Sequence, residues 1–111
     1  VIAHGGAALP YALGRLMRNY EYLPKLADPK KGFDALFFDS CVFDPETLEF
    51  LARKASPERI MLGSDMPFNI GDPAPRKAVE GAYLRDAHRR AILGETAQQV
   101  FRIRQDCWCP R

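Results

Sequence analysis

Ile60-Met61-Leu62-Gly63-Ser64-Asp65-Met66-Pro67-Phe68 is the stretch that decides the fold. Three apolar residues stop abruptly at Gly-Ser-Asp. An apolar run this short and unbroken reads as a strand buried on both faces, as in a parallel sheet, and it puts the carboxylate of Asp65 at the strand's C-terminal end. Gly63 lets the backbone pass close to its neighbours while the acid projects outward, and Met66-Pro67-Phe68 walls off water. A turn carboxylate accepting backbone N–H groups ahead of Pro67 is the plain alternative for Asp65.

Upstream, the same unit of strand, loop and helix recurs. Val1-Ile2-Ala3 runs straight into Gly5-Gly6, which places His4 at a strand end. Leu13, Leu16, Met17 and Tyr20 follow at helical spacing, with Pro10 in the first turn and Arg15 and Arg18 off the apolar stripe. Pro24 to Gly32, rich in Pro, Lys and Asp, reads as a surface loop. Ala35 to Phe38 reads as a second buried strand ended by Asp39-Ser40, with Cys41 to Phe43 as its exit loop. Asp44-Pro45-Glu46-Thr47 supplies an N-cap, a first-turn proline and a first-turn acid, ahead of an apolar face of Leu48, Phe50, Leu51 and Ala55. Ser56-Pro57 breaks that helix. Downstream of Asp65, the loop carrying Pro67, Gly71, Pro73 and Pro75 is long enough to be functional. Ala78 to Leu84 reads as helix, as do Arg85 to Leu93 and Glu95 to Phe101 with a break near Gly94. The domain spans residues 1–103, and residues 104–111 form a tail.

Three such units predict an α/β fold with a parallel sheet and right-handed crossovers, and they suit a segment of an eight-stranded (β/α)8 barrel. An open flavodoxin-like piece is the rival, and it leaves a sheet edge exposed. In parallel α/β architectures the reactive groups gather at the C-terminal ends of the strands. Here those ends carry His4, Asp39 and Asp65. One imidazole and two carboxylates at a shared mouth suit Zn²⁺ or Mn²⁺ binding or proton transfer. For Asp39 a helix-facing or loop-capping carboxylate is the better reading.

Composition narrows the partners. The chain has 111 residues, 47% of them hydrophobic, with 16 basic and 14 acidic side chains for a net charge of +2. No field of one sign advertises nucleic acid or an anionic membrane, so a small-molecule partner is expected. No apolar run approaches the roughly 20 residues of a membrane helix and no signal-peptide pattern opens the chain, which predicts a cytoplasmic protein. Cys41, Cys107 and Cys109 are an odd set without Cys-x-x-Cys spacing, so reduced thiols are expected, in preference to disulfides or a thiolate metal site. Gly5-Gly6 alone is too short to carry a phosphate-binding reading.

Taken in order, Ala3-His4-Gly5-Gly6-Ala7 with Pro10 and Gly14-Arg15, then Phe37-Phe38-Asp39-Ser40, then Arg59 to Phe68, and finally Ile92-Leu93-Gly94, resemble the C-terminal part of the amidohydrolase-related family, and within it the aminocarboxymuconate semialdehyde decarboxylase type. The resemblance covers Val1 to about Ile103. It implies a metal-dependent barrel segment, about strands six to eight, with Asp65 as the metal ligand of strand eight and His4 as the catalytic histidine of strand six. Arg15 would match an arginine that grips a substrate carboxylate across a dimer interface, and Phe68 would lie against the substrate. The implied cofactor is a divalent ion, Zn²⁺ or Mn²⁺. The implied reaction is decarboxylation or hydrolysis of a small carboxylate-bearing, aromatic or unsaturated acid by a homodimer.

Two departures stand out. Ala7 replaces a third glycine, and Gly94-Glu95-Thr96-Ala97 replaces a Gly-Asn-Ala closing helix. The His-x-His pair and the further metal-binding histidine of the family have no counterpart in these residues, and Val1 opens the chain without an initiator Met. A fragment, inert by itself, is therefore expected, with a non-catalytic half-barrel binding or assembly module as the alternative.

Overall fold

The computed structural model of the chain describes residues 1–23 and 25–103. The tail reading for 104–111, Cys107 and Cys109 included, lies outside the described residues. Six α-helices are seen among the described residues: α1 (Leu9–Tyr22), α2 (Pro29–Asp34), α3 (Pro45–Ala55), α4 (Arg76–Gly81), α5 (Asp86–Arg90) and α6 (Thr96–Phe101). Two strands, β1 (Phe38–Asp39) and β2 (Ile60–Met61), pair in parallel with Phe38 opposite Ile60 and Asp39 opposite Met61.

A third strand is reduced to a single parallel bridge from Ile2 to Phe38. The Ile2 N–H donates to the Phe37 carbonyl at 2.7 Å, and the Asp39 N–H donates back to the Ile2 carbonyl at 3.2 Å. The spatial order Ile2, β1, β2 is therefore the chain order, and all three run the same way. A flavodoxin-like sheet would put the first strand between the other two. Sequential parallel order is what a barrel segment requires.

Two local expectations are corrected. The loop expected over Pro24 to Gly32 holds for residues 25–28 but gives way to α2 from Pro29 onward, because the Asp28 carboxylate accepts the N–H groups of Lys30 and Lys31 at 2.9 and 3.2 Å and Pro29 takes the first helical position. The second strand consequently starts late. Ala35 closes α2 through its N–H to the Lys31 and Gly32 carbonyls, leaving only Phe38–Asp39 to pair. Phe33 of α2 then packs on Phe38 with ring centroids 5.2 Å apart.

Helix α3 follows its N-cap: Asp44 Oδ2 accepts from the N–H and the hydroxyl of Thr47 at 2.7 and 2.6 Å. Its buried face is Leu48, Leu51, Ala52 and Ala55, so Ala52 takes the place expected for Phe50, which is half-buried beneath the Lys54 ammonium. On α1, Leu13 is buried and Met17 packs beside it, while Leu16 stays exposed. The helix expected over 78–84 starts at Arg76 and ends at Gly81. The break near Gly94 is a π-type turn over Ala91–Glu95 that delivers the chain into α6. Phe38, Leu48, Leu51, Ile60, Val79 and Ile92 are fully buried and form the centre of one core between the short sheet and the helices.

Candidate active site at the strand ends

Past their last paired residues the strands turn sharply, and the turns carry the polar groups. The first exits through a 3₁₀ turn, His4–Gly6, in which His4, Gly5, Gly6 and Ala7 all have positive φ. Only glycine takes this region without strain, and Gly5 is further required by space: a Cβ there would stand 2.5 Å from Val42 Cγ1. Ala7, which stands where the resemblance has a third glycine, has a φ of 49°, so its methyl group is held in a region that favours glycine.

His4 Nε2 lies 3.3 Å from Asp65 Oδ1. The histidine side chain is largely exposed and the aspartate mostly covered. Asp65 also has a positive φ, 57°, and its carbonyl accepts the Phe68 N–H at 3.1 Å. Two residues singled out from distant segments therefore face one another, each on a backbone that costs energy to hold.

Asp39 is a capping carboxylate, as its position led us to expect: Oδ1 accepts the Gly5 N–H at 2.9 Å and the Cys41 N–H at 3.1 Å. Ser40 is a residue that sequence reasoning passed over. It is buried, its N–H reaches the Met61 carbonyl at 2.8 Å, and its hydroxyl accepts the Gly63 N–H at 3.2 Å, tying the exits of β1 and β2 together. Asp72 was also missed, although Asp72-Pro73 is a turn signal; its N–H donates to the Ser64 carbonyl at 2.6 Å and folds the long loop back over the strand end. Cys41 lies buried behind this group. Burial pushes its thiol pKa up, and the negative charges of Asp39, Asp65 and Asp72 push it further.

Arg15 and Phe68 are not part of this contact. Arg15 is on the exposed side of α1 and makes no hydrogen bond or ion pair among the described residues. Phe68 is 66% exposed, flanked on its loop by the equally exposed Met66 and Ile70. A cleft of about 590 Å³ lies elsewhere, between the C-terminal half of α3 and residues 83–88, and no candidate site residue lines it.

The donor chemistry at the strand ends fits a divalent cation in kind. Asp65 offers a hard carboxylate that no Lys or Arg neutralises among the described residues, with an imidazole beside it. In number it falls short: no group of three or more His, Cys, Asp and Glu side chains gathers among the described residues. These residues supply part of a donor set.

Comparison with known proteins places the chain. The Amidohydrolase family model (Amidohydro_2) matches residues 1–103. The chain belongs to the amidohydrolase family. Among its relatives, the 2-amino-3-carboxymuconate-6-semialdehyde decarboxylase of Dictyostelium discoideum is 31% identical over 106 residues, covering 89% of this chain and 30% of that protein. Two solved amidohydrolase-fold structures superpose well. The 5-carboxyvanillate decarboxylase of Sphingomonas paucimobilis does so with a TM-score of 0.79 at 21% identity over 92% of this chain and 33% of its own. A dihydroxybenzoic acid decarboxylase from a Polaromonas species, solved with manganese and 2-nitroresorcinol, does so with a TM-score of 0.77 at 22% identity over 90% of this chain and 32% of its own. The chain spans about a third of the length of each of these proteins. The three parallel strand ends in chain order are those of a partial barrel of this family.

Proposed function

We propose that these residues form the strand-six-to-eight portion of a divalent-metal-dependent, non-oxidative decarboxylase acting on a small carboxylate-bearing aromatic or unsaturated acid. The observation that carries the reading is the meeting of His4 and Asp65 at 3.3 Å on the C-terminal side of parallel strands, in a chain whose relatives include decarboxylases of such acids.

In this reading Asp65 is one ligand of Zn²⁺ or Mn²⁺. When bound, the ion polarises a substrate oxygen. His4, open to solvent on one side and oriented by Asp65 on the other, delivers a proton to the carbon that bears the carboxylate. The carbon–carbon bond then breaks, its electron pair returns to the substrate framework, and CO₂ departs. Arg15, free of any internal partner among the described residues, grips a substrate carboxylate from the neighbouring subunit of a homodimer as a planar fork. Phe68 supplies an apolar ring beside the mouth.

The test uses the complete polypeptide, assayed for CO₂ release from 2-amino-3-carboxymuconate-6-semialdehyde, 5-carboxyvanillate and a dihydroxybenzoate, with metal content measured in parallel. His4→Ala is expected to retain metal and lose turnover, and Asp65→Ala to lose metal. Activity persisting in both variants would refute the assignment.

A further inference from the structure

We infer that Asp39 is a positioning residue: its carboxylate, held by the Gly5 and Cys41 N–H groups while its side chain packs against Gly63, sets the backbone conformation from which His4 reaches Asp65. The inference deepens the proposed function and rests on the role given there to His4.

The turn from His4 to Ala7 holds four successive positive φ values, 55°, 59°, 80° and 49°. Its own hydrogen bonds are two, Gly6 N–H to the Ala3 carbonyl at 3.0 Å and Ala7 N–H to the His4 carbonyl at 2.8 Å. A run of left-handed residues that includes His and Ala persists only where the surroundings over-determine it. Asp39 supplies that constraint at the position where it matters. The Gly5 N–H that Oδ1 accepts belongs to the peptide plane joining His4 to Gly5, and the tilt of that plane is the ψ angle of His4. The same oxygen accepts the Cys41 N–H and so pins the carboxylate to the end of β1.

The other face of the Asp39 side chain meets Gly63, two residues before Asp65. A Cβ on Gly63 would stand 2.9 Å from Asp39 Cβ and 3.2 Å from its Cγ, so the glycine is what allows the β2 exit to lie against this side chain. One residue of the central strand therefore touches both segments that carry the facing pair. Asp39 makes no hydrogen bond to the imidazole of His4 or the carboxylate of Asp65 among the described residues; it acts through backbone. Positioning of this kind needs an acceptor oxygen of the right reach, and asparagine provides one without charge.

The experiment pairs kinetics with crystallography on the complete polypeptide, using the three acids named above. Asp39→Ala is expected to lower kcat by about 10²-fold with KM little changed, since a misplacement of about 1 Å costs that much, while Asp39→Asn restores most of the rate. In crystals, Asp39→Ala is expected to separate His4 Nε2 from Asp65 Oδ1 and Asp39→Asn to keep them together. Should Asp39→Ala fail to fold, Gly63→Ala, whose Cβ would stand 2.9 Å from Asp39 Cβ and force the two segments apart, is expected to lower kcat and lengthen the His4–Asp65 distance, and an unchanged distance in that variant would overturn the inference. Asp39→Asn as damaged as Asp39→Ala would assign the role to charge and overturn the inference, as would an undisturbed His4–Asp65 distance in Asp39→Ala. Full activity of Asp39→Ala beside an inactive His4→Ala overturns the inference and leaves the reading of His4 standing, whereas an active His4→Ala removes that reading itself.

Discussion

His4 Nε2 and Asp65 Oδ1 stand 3.3 Å apart across 61 residues of chain, and both residues reach that contact from left-handed backbone. The pairing is thus paid for in conformational strain at each end. At Asp65 this has a measurable consequence. Asp65→Gly removes the carboxylate and relieves the φ of 57°, whereas Asp65→Ala removes it and keeps a Cβ in the unfavourable region. Urea unfolding is expected to find the glycine variant more stable than the alanine variant by about 1 kcal/mol. Equal stabilities would mean that the loop relaxes and the strain is not held.

Glycine replacements are expected to act with opposite signs at two sites. At Gly5, φ is 59° and an added Cβ would meet Val42 Cγ1 at 2.5 Å and Leu51 Cδ2 at 3.2 Å, so Gly5→Ala should destabilise by about 1–3 kcal/mol and displace His4. Gly14 lies inside α1 with nothing within 4 Å of an added Cβ. Gly14→Ala should stabilise by about 0.5–1 kcal/mol through helix propensity. Thermal melts of the two variants side by side decide this.

Much of the site could be read from residue types because each strand announced its own end. Ile60-Met61-Leu62 broken by Gly63-Ser64-Asp65, and Ile2-Ala3 broken by His4-Gly5-Gly6, place the polar groups without knowledge of the third dimension. What the chain did not disclose was the wiring between ends. Ser40 is a small hydroxyl in an apolar neighbourhood, and only the spatial approach of Gly63 makes it a bridge. The end of the expected loop, which is α2 from Pro29 onward, is a different case. Asp28-Pro29 carries the same cap-and-proline signal that identified α3 at Asp44-Pro45, but α2 is six residues long, too short for an apolar period to show.

Metal binding by residues 1–111 alone is expected to be weak. Asp65 and His4 present two donors, and no third His, Cys, Asp or Glu joins such a group among the described residues. Calorimetric titration of this stretch with Zn²⁺ or Mn²⁺ should give no tight one-to-one site. A tight stoichiometric site would show that these residues hold the ion unaided.

Cys41 should be slow to alkylate. Its thiol is buried and its pKa is raised by that burial and by Asp39, Asp65 and Asp72, so the thiolate that reacts is scarce at neutral pH. Peptide mapping after iodoacetamide treatment is expected to show little modification at Cys41 in the folded protein and full modification in urea. Asp72→Asn, which removes one of the three charges, should move the onset of reaction to lower pH.

The cap of α3 predicts how stability changes in acid. Hydrogen bonds from the Thr47 hydroxyl, then from the Thr47 N–H, hold Asp44 below the ordinary carboxylate pKa. A group whose folded pKa is depressed binds its proton more readily when unfolded, so its contribution is complete above the ordinary carboxylate range and is lost as pH falls through that range to the lowered folded value. Asp44→Ala should therefore be less stable than the wild type at pH 7, with the gap closing as the pH is lowered. Asp44→Asn keeps an acceptor for the Thr47 N–H but has no proton to gain, so it should lie between the two at neutral pH and show a flatter dependence. Urea midpoints measured from pH 7 downward test this. A gap between wild type and Asp44→Ala that stays constant through the acid range would show that the capping bonds do not depend on the charge of Asp44.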